Sequence, residues 1–141
     1  MPTKCGDIAR NVLAKGHSLA DWLGQQVNVI VDRKAGSAHP QFLSTRYTCN
    51  YGFIPGTLAG DGEAIDVYVI DMAEPVDCVC VNIVAVVERH NDAEDKLVGL
   101  VDLRHYTCVE IMRSISFCEG WFDTTIITMW ADCASYTKIY Q

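Results

Sequence analysis

The sequence predicts an α+β domain: a small, mostly antiparallel β-barrel with helices packed on its outside. Three observations lead there. Apolar residues alternate with a period of two in several short runs separated by turn signals. One later stretch, residues 108–119, keeps the 3.6-residue period of an amphipathic helix. No strand–helix alternation repeats, which disfavours a doubly wound parallel sheet. The 141 residues fit one domain. They divide into a helical segment, 1–24, packed on the same domain, and a barrel, 25–141, that includes the helix 108–119.

The elements follow in order. Ile8, Ala9, Val12 and Leu13 share a helical face, and Gly16 interrupts them. Ser18 then caps a short helix carrying Leu19, Trp22 and Leu23, and Gly24 stops it. From Gln25 the period becomes two, with Val27, Val29 and Val31 on one face. Residues 33–36 read as a hairpin turn, and 37–42 as a returning strand limited to an edge by Pro40. Residues 44–60 are rich in aromatics, glycine and proline. They are too irregular for a clean strand and read as a loop over the barrel mouth. Ile65, Val67 and Val69 define a strand, residues 71–77 a loop, 76–88 the longest strand and 96–103 another. Thr107 and Glu110 have capping-box spacing ahead of the helix, and Gly120 ends it. Residues 124–130 are β-prone, and the last ten residues read as a tail without defined structure.

Composition excludes some functions. Eighteen acidic residues against eleven basic ones give a net charge of −7. Nucleic-acid phosphates need concentrated Lys and Arg, and no basic run exists. No apolar run reaches the length of a membrane helix, and no secretory signal is visible, so neither a membrane nor nucleic acid is an expected partner. Seven cysteines, an odd number, cannot all pair within one chain. This points to a reducing, cytoplasmic setting, with most thiols as small buried hydrophobes. Cys78 and Cys80 share a strand face, which leaves open a zinc site completed by outside ligands.

The chemistry concentrates in Asp61-Gly62-Glu63-Ala64-Ile65-Asp66. Carboxylates separated by a tight turn can converge on one point, as hard cations require. Asp71 follows one strand later, and Asp92, Glu94 and Asp95 occupy another loop beside Lys96. If these loops meet, their mutual repulsion calls for divalent cations, and Mg²⁺ suits oxygen ligands and phosphate substrates. Charged turns are ordinarily solvated surface, and a lysine beside acids ordinarily balances them. Both readings stand at this point.

Gly36, Tyr47, the run Asn50-Tyr51-Gly52-Phe53-Ile54-Pro55, the run Asp61 to Val67, and Glu94-Asp95-Lys96 together resemble the soluble, magnesium-dependent inorganic pyrophosphatases. The resemblance runs from about Gln25 to Phe122 and implies an OB-like barrel. It implies that Asp61, Asp66 and Glu94, with Asp92 in a shortened loop, ligate Mg²⁺. It also implies that Glu63 orients and deprotonates the nucleophilic water, that Lys96 contacts phosphate, and that Tyr51 is an active-site tyrosine. Other positions depart from the pattern. Asn28 and Ile30 stand where the family has a lysine and a glutamate, His39 where it has an arginine, and Trp121 and Phe122 where it has a tyrosine–lysine pair. The possible substrate contacts are therefore His39, Arg33 and Arg46, with Lys34 beside Arg33.

Two functions follow. The first is Mg²⁺-dependent hydrolysis of inorganic diphosphate or a related phosphoanhydride by a homo-oligomer. A variant of it stacks Trp121 and Phe122 on a nucleotide base. The second is a catalytically impaired relative that binds a phosphate compound or a partner protein without turnover. A cysteine-based metal or redox module is a third, remote class.

Overall fold

The computed structural model describes residues 18–59, 62–90, 94–130 and 135–138. The patch Ile8 to Leu13 lies outside them. The expected short helix is a single 3₁₀ turn, Leu19–Trp22, capped by the Ser18 side chain, which accepts from Ala20 N. It buries Trp22 in the apolar interior.

Seven strands follow: β1 (Gln26–Arg33), β2 (Asn50–Ile54), β3 (Ile65–Val69), β4 (Cys78–Arg89), β5 (Lys96–Leu100), β6 (Thr124–Thr128) and β7 (Ser135–Lys138). One helix, α1 (Cys108–Glu119), lies between β5 and β6. The strand order β1-β2-β3-β5-β4 closes through a β1–β4 pairing into a five-stranded barrel, which leaves these strands without open edges. The β3–β5 pair is parallel and the other pairs of the ring are antiparallel. β4 makes closure possible by its length. Its first half pairs with β1 and its second half with β6, and its register with β5 shifts between Ile83 and Ala85. β6 and β7 extend the sheet beyond the ring.

Both faces of the central strands are covered. Val27, Val29, Val67, Val81, Ile83 and Leu97 fill the barrel. Tyr68, Val87, Val98 and Leu100 face α1 and meet Ile111 and Ile115. Two-sided burial explains why β4 reads as a nearly continuous apolar run. The capping box at α1 is present: Thr107 accepts from Glu110 N at 3.1 Å, and Glu110 accepts from Thr107 N at 2.8 Å.

The structure departs from the sequence reading at four places, each for a local reason. Residues 50–54 form a strand rather than a loop. Asn50 is fully buried; it donates to Met72 O and Glu74 O and accepts from Ala35 N, so one side chain fastens two loops to the strand. Gly52 lies against β1 so closely that a Cβ would sit 1.9 Å from Ile30 O, which only glycine permits. The composition that looked irregular is what close strand contact requires. Residues 37–42 do not form a returning strand; a single bridge, Ala38 to Arg46, remains. β5 stops at Leu100 because Asp71 accepts the next two backbone N–H groups, from Val101 and Asp102. Part of the final tail is ordered as β7, pairing with β6 from Thr124↔Lys138 to Ile127↔Ser135.

Cys78 is disulfide-bonded. It therefore cannot serve as a thiolate beside Cys80 in a zinc site. Cys49, Cys80, Cys108 and Cys118 are free thiols.

Candidate functional site

The parallel pairing of β3 with β5 sets Val67 beside Leu97 and so brings the starts of both strands to one end of the barrel. Asp66 and Lys96, one residue earlier on each strand, meet there. Lys96 Nζ donates to Asp66 Oδ2 at 3.0 Å and lies 3.5 Å from Glu94 Oε1. The lysine side chain is only 3% exposed, so its charge needs these partners. Asp66 and Glu94, from acidic segments far apart in sequence, thus meet at one lysine.

β2 and β1 supply the next wall. Tyr51 lies 5.4 Å from Lys96 Nζ, measured to the ring centre. Burial, then the neighbouring Asp66 carboxylate to which it is hydrogen-bonded, pushes the Tyr51 hydroxyl far above its usual range. The hydroxyl therefore stays protonated and acts as a donor. On β1 the register slips by one residue between Val31 and Arg33, which sets Arg33 opposite Tyr51. Bulges re-aim side chains next to sites in this way. Arg33 donates to Tyr47 Oη at 2.7 Å. Asp32 turns its carboxyl to the same cavity. Partial burial raises its pKa, Asp66 adds to the rise, and Arg33 opposes it.

A third group closes the far side. Arg89, at the end of β4, is buried against Glu119, at the end of α1, with contacts of 2.6 to 3.1 Å. Tyr68 donates to Glu119 at 2.6 Å. The Arg89 guanidinium lies 3.7 Å over the Phe122 ring. Phe42 and Trp121 stack at 5.8 Å with planes 15° apart.

These groups surround one cavity of about 670 Å³. Asp66, Glu94, Lys96, Tyr51, His39 and Arg33, all singled out from the sequence, line it. Arg46 does not; it is exposed and lies 3.5 Å from Gly36 O. Glu63 is exposed on the turn before β3 and is not part of the lining. Asp61 and Asp92 lie outside the described residues. Asp71 and Asp95 have backbone partners instead, Asp95 accepting from Arg89 N. Sequence reasoning missed Asp32, Arg89 and Glu119. Glu119 had a legible signal, because it falls on the apolar face of α1, where a carboxylate needs a buried partner.

Among the described residues, no three His, Cys, Asp or Glu side chains gather closely enough to hold a metal ion. Asp66 and Glu94 carry hard oxygens of the type that Mg²⁺ takes, and both contact the Lys96 ammonium.

His39 is the titratable group on the aromatic side. Its Nδ1 accepts from Gln41 N at 3.1 Å and Phe42 N at 3.2 Å, which requires a neutral ring. Burial, and then Arg33, lower its pKa. The stabilisation this gives is present above the usual imidazole value of 6.5 and is lost as pH falls through the lower folded value. An NMR titration should give a His39 midpoint below 6.5, with the Gln41 and Phe42 amides shifting in step. A midpoint at or above that value would contradict the neutral acceptor.

Residues 24–127 match the family model described as inorganic pyrophosphatase. An inorganic pyrophosphatase of Mesorhizobium japonicum is 34% identical over 84 residues, covering 55% of this chain and 48% of that one. One of Ralstonia nicotianae is 52% identical over 42 residues, covering 28% of this chain and 24% of that one. The crystal structure of an inorganic pyrophosphatase from Ehrlichia chaffeensis is 26% identical, covers 64% of this chain and 66% of that one, and has a TM-score of 0.47. The chain spans about half the length, or less, of the curated relatives it matches.

Proposed function

This chain belongs to the inorganic pyrophosphatase family, and on that premise we propose that its cavity hydrolyses inorganic diphosphate, or a related phosphoanhydride, with the help of Mg²⁺. The observation that carries the reading is the meeting of Asp66, Glu94 and Lys96 at one barrel end, beside Tyr51 and Arg33. In this proposal Asp66 and Glu94, with Asp61 and Asp92, hold the metal. Bound Mg²⁺ supplies charge compensation for the phosphates and activation of a water.

The protein groups have separate tasks. Lys96 exchanges a carboxylate partner for a phosphate oxygen and stabilises charge developing on it. Tyr51, protonated at every physiological pH, donates to a second oxygen. Arg33 lies on the same wall and offers a forked donor suited to phosphate. Asp32, in the cavity lining with a raised pKa, is the carboxylate placed to take the water's proton; Glu63, which the family resemblance suggested for that task, is exposed outside the lining.

A second reading is binding without turnover. Asn28 is buried and Ile30 half-buried on β1, and neither is charged. Trp121 and Phe122 likewise bring no cation. Phosphate release separates the readings. Purified chain with Mg²⁺ and diphosphate should release phosphate at ordinary enzyme rates, and Asp66→Asn should abolish it. Tight binding of diphosphate without release would establish the second reading.

The proposal includes self-association and a cytoplasmic location; the free thiols of Cys49, Cys80, Cys108 and Cys118 support that location and the Cys78 disulfide does not. A solution mass of 15.6 kDa would refute self-association. No helix among the described residues is long and apolar enough to cross a membrane.

A further inference from the structure

The lining of the cavity is two-sided. One wall carries charge: Asp32, Arg33, Asp66, Glu94 and Lys96. The other is aromatic: Phe42, Phe117, Trp121 and Phe122. A bare diphosphate has no apolar surface to place against that second wall. Yet Phe42 and Trp121 stand at the cavity 50% and 51% exposed, already stacked with nearly parallel rings. A cavity of about 670 Å³ lies in the range that encloses drug-sized organic ligands.

The aromatic wall is also held in position. The two backbone N–H groups that His39 Nδ1 accepts fix the start of the Phe42 loop. The His39 ring contacts Phe42 at 5.1 Å and stacks on the buried Tyr47 at 5.8 Å. Beside Trp121, Phe122 is covered by the Arg89 guanidinium, which the Glu119 carboxylate anchors. A flat ligand group that lands here meets a preformed surface and loses little to ordering it.

We propose that the cavity takes a phosphoanhydride joined to a flat aromatic group, namely a nucleoside di- or triphosphate, with its phosphates at Lys96 and Arg33 and its base on Trp121 and Phe42. The proposal rests on the hydrolytic reading above and names its substrate class. Water adds to the terminal phosphorus, forming one P–O bond as the bridging P–O bond breaks. The bridging bond's electron pair leaves on the shortened nucleotide, and the water's proton passes to a cavity carboxylate and then to solvent. Stacking tolerates any base, because every base has a π-face. Selectivity should therefore favour nucleotides over diphosphate without strongly favouring one nucleotide.

The test is calorimetric titration of the full chain in Mg²⁺ with two non-hydrolysable compounds, imidodiphosphate and the α,β-imido analogue of ADP. The nucleoside analogue should bind about ten- to a hundred-fold more tightly, the range that stacking of one base supplies. Trp121→Ala should remove most of that preference, and Trp121→Phe should keep most of it. Binding of imidodiphosphate equal to or tighter than the nucleoside analogue overturns the inference and leaves diphosphate hydrolysis standing. So does a preference that survives both Trp121→Ala and Phe42→Ala. A solution mass that falls in Trp121→Ala, with the preference unchanged, places these rings between copies of the chain and overturns it too. If neither compound binds, the inference falls together with the reading beneath it. If the nucleoside analogue binds with the predicted preference but neither ADP nor diphosphate releases phosphate, the binding half stands and the hydrolytic reading fails.

Discussion

Methionine in place of Lys96 is expected to lower phosphate release from diphosphate by about 10²–10³-fold, the usual cost of removing one preorganised donor from a site of developing negative charge. The lysine is well suited to that role. Its side chain is 3% exposed and its ammonium sits between Asp66 and Glu94 over the Tyr51 ring. Methionine keeps the stem's packing and removes only the charge. The loss should appear mainly in kcat, because the interaction strengthens as the transferring phosphate gains charge. Steady-state kinetics with diphosphate checks this, alongside far-UV circular dichroism to confirm folding. A folded Lys96→Met protein with nearly full turnover would show that Lys96 only neutralises its acidic neighbours.

The largest expected effect on stability lies at the other side of the cavity. Glu119→Leu should destabilise the fold by about 3–5 kcal/mol, the typical cost of removing one member of a buried ion pair. Arg89 and Glu119 have side chains 4% and 0% exposed, and Tyr68 donates to the same carboxylate. Leucine in place of Glu119 removes the carboxylate that contacts the buried guanidinium and accepts from the Tyr68 hydroxyl. The double variant Arg89→Met with Glu119→Leu should recover much of the loss, since a buried pair replaced by apolar groups of similar volume is often neutral. Urea unfolding of the two single variants and the double variant measures this coupling. Additive losses would mean that the two residues act independently.

The way these two sites arise shows what the sequence could reveal. Strands built on alternating valines, such as Val27-Val29-Val31 and Ile65-Val67-Val69, are legible because each must bury one face in the barrel. Helix α1 is legible because its capping box and apolar face agree. Strand β2 is not, because its Asn50 and Gly52, and Pro55 just after it, look like loop chemistry. Their reasons are tertiary: Asn50 fastens loops near 35 and 72–74, and Gly52 lets β1 approach. The Asp66–Lys96 contact follows from a parallel pairing that no local period encodes. The acidic residues were visible as a group, but only the fold separates those at the cavity from Asp71 and Asp95, which serve the backbone. Arg89 and Glu119, 30 residues apart, are paired only by the packing of α1 on the sheet.

Crystals of the full chain grown with Mn²⁺ and imidodiphosphate test the account most directly, because Mn²⁺ replaces Mg²⁺ at oxygen sites and marks its position by anomalous scattering. The expected result is an anomalous peak ligated by Asp66 and Glu94, with the analogue's phosphate on Lys96. A peak elsewhere, or an analogue bound away from Lys96 with the Asp66–Lys96–Glu94 contacts intact, would contradict it.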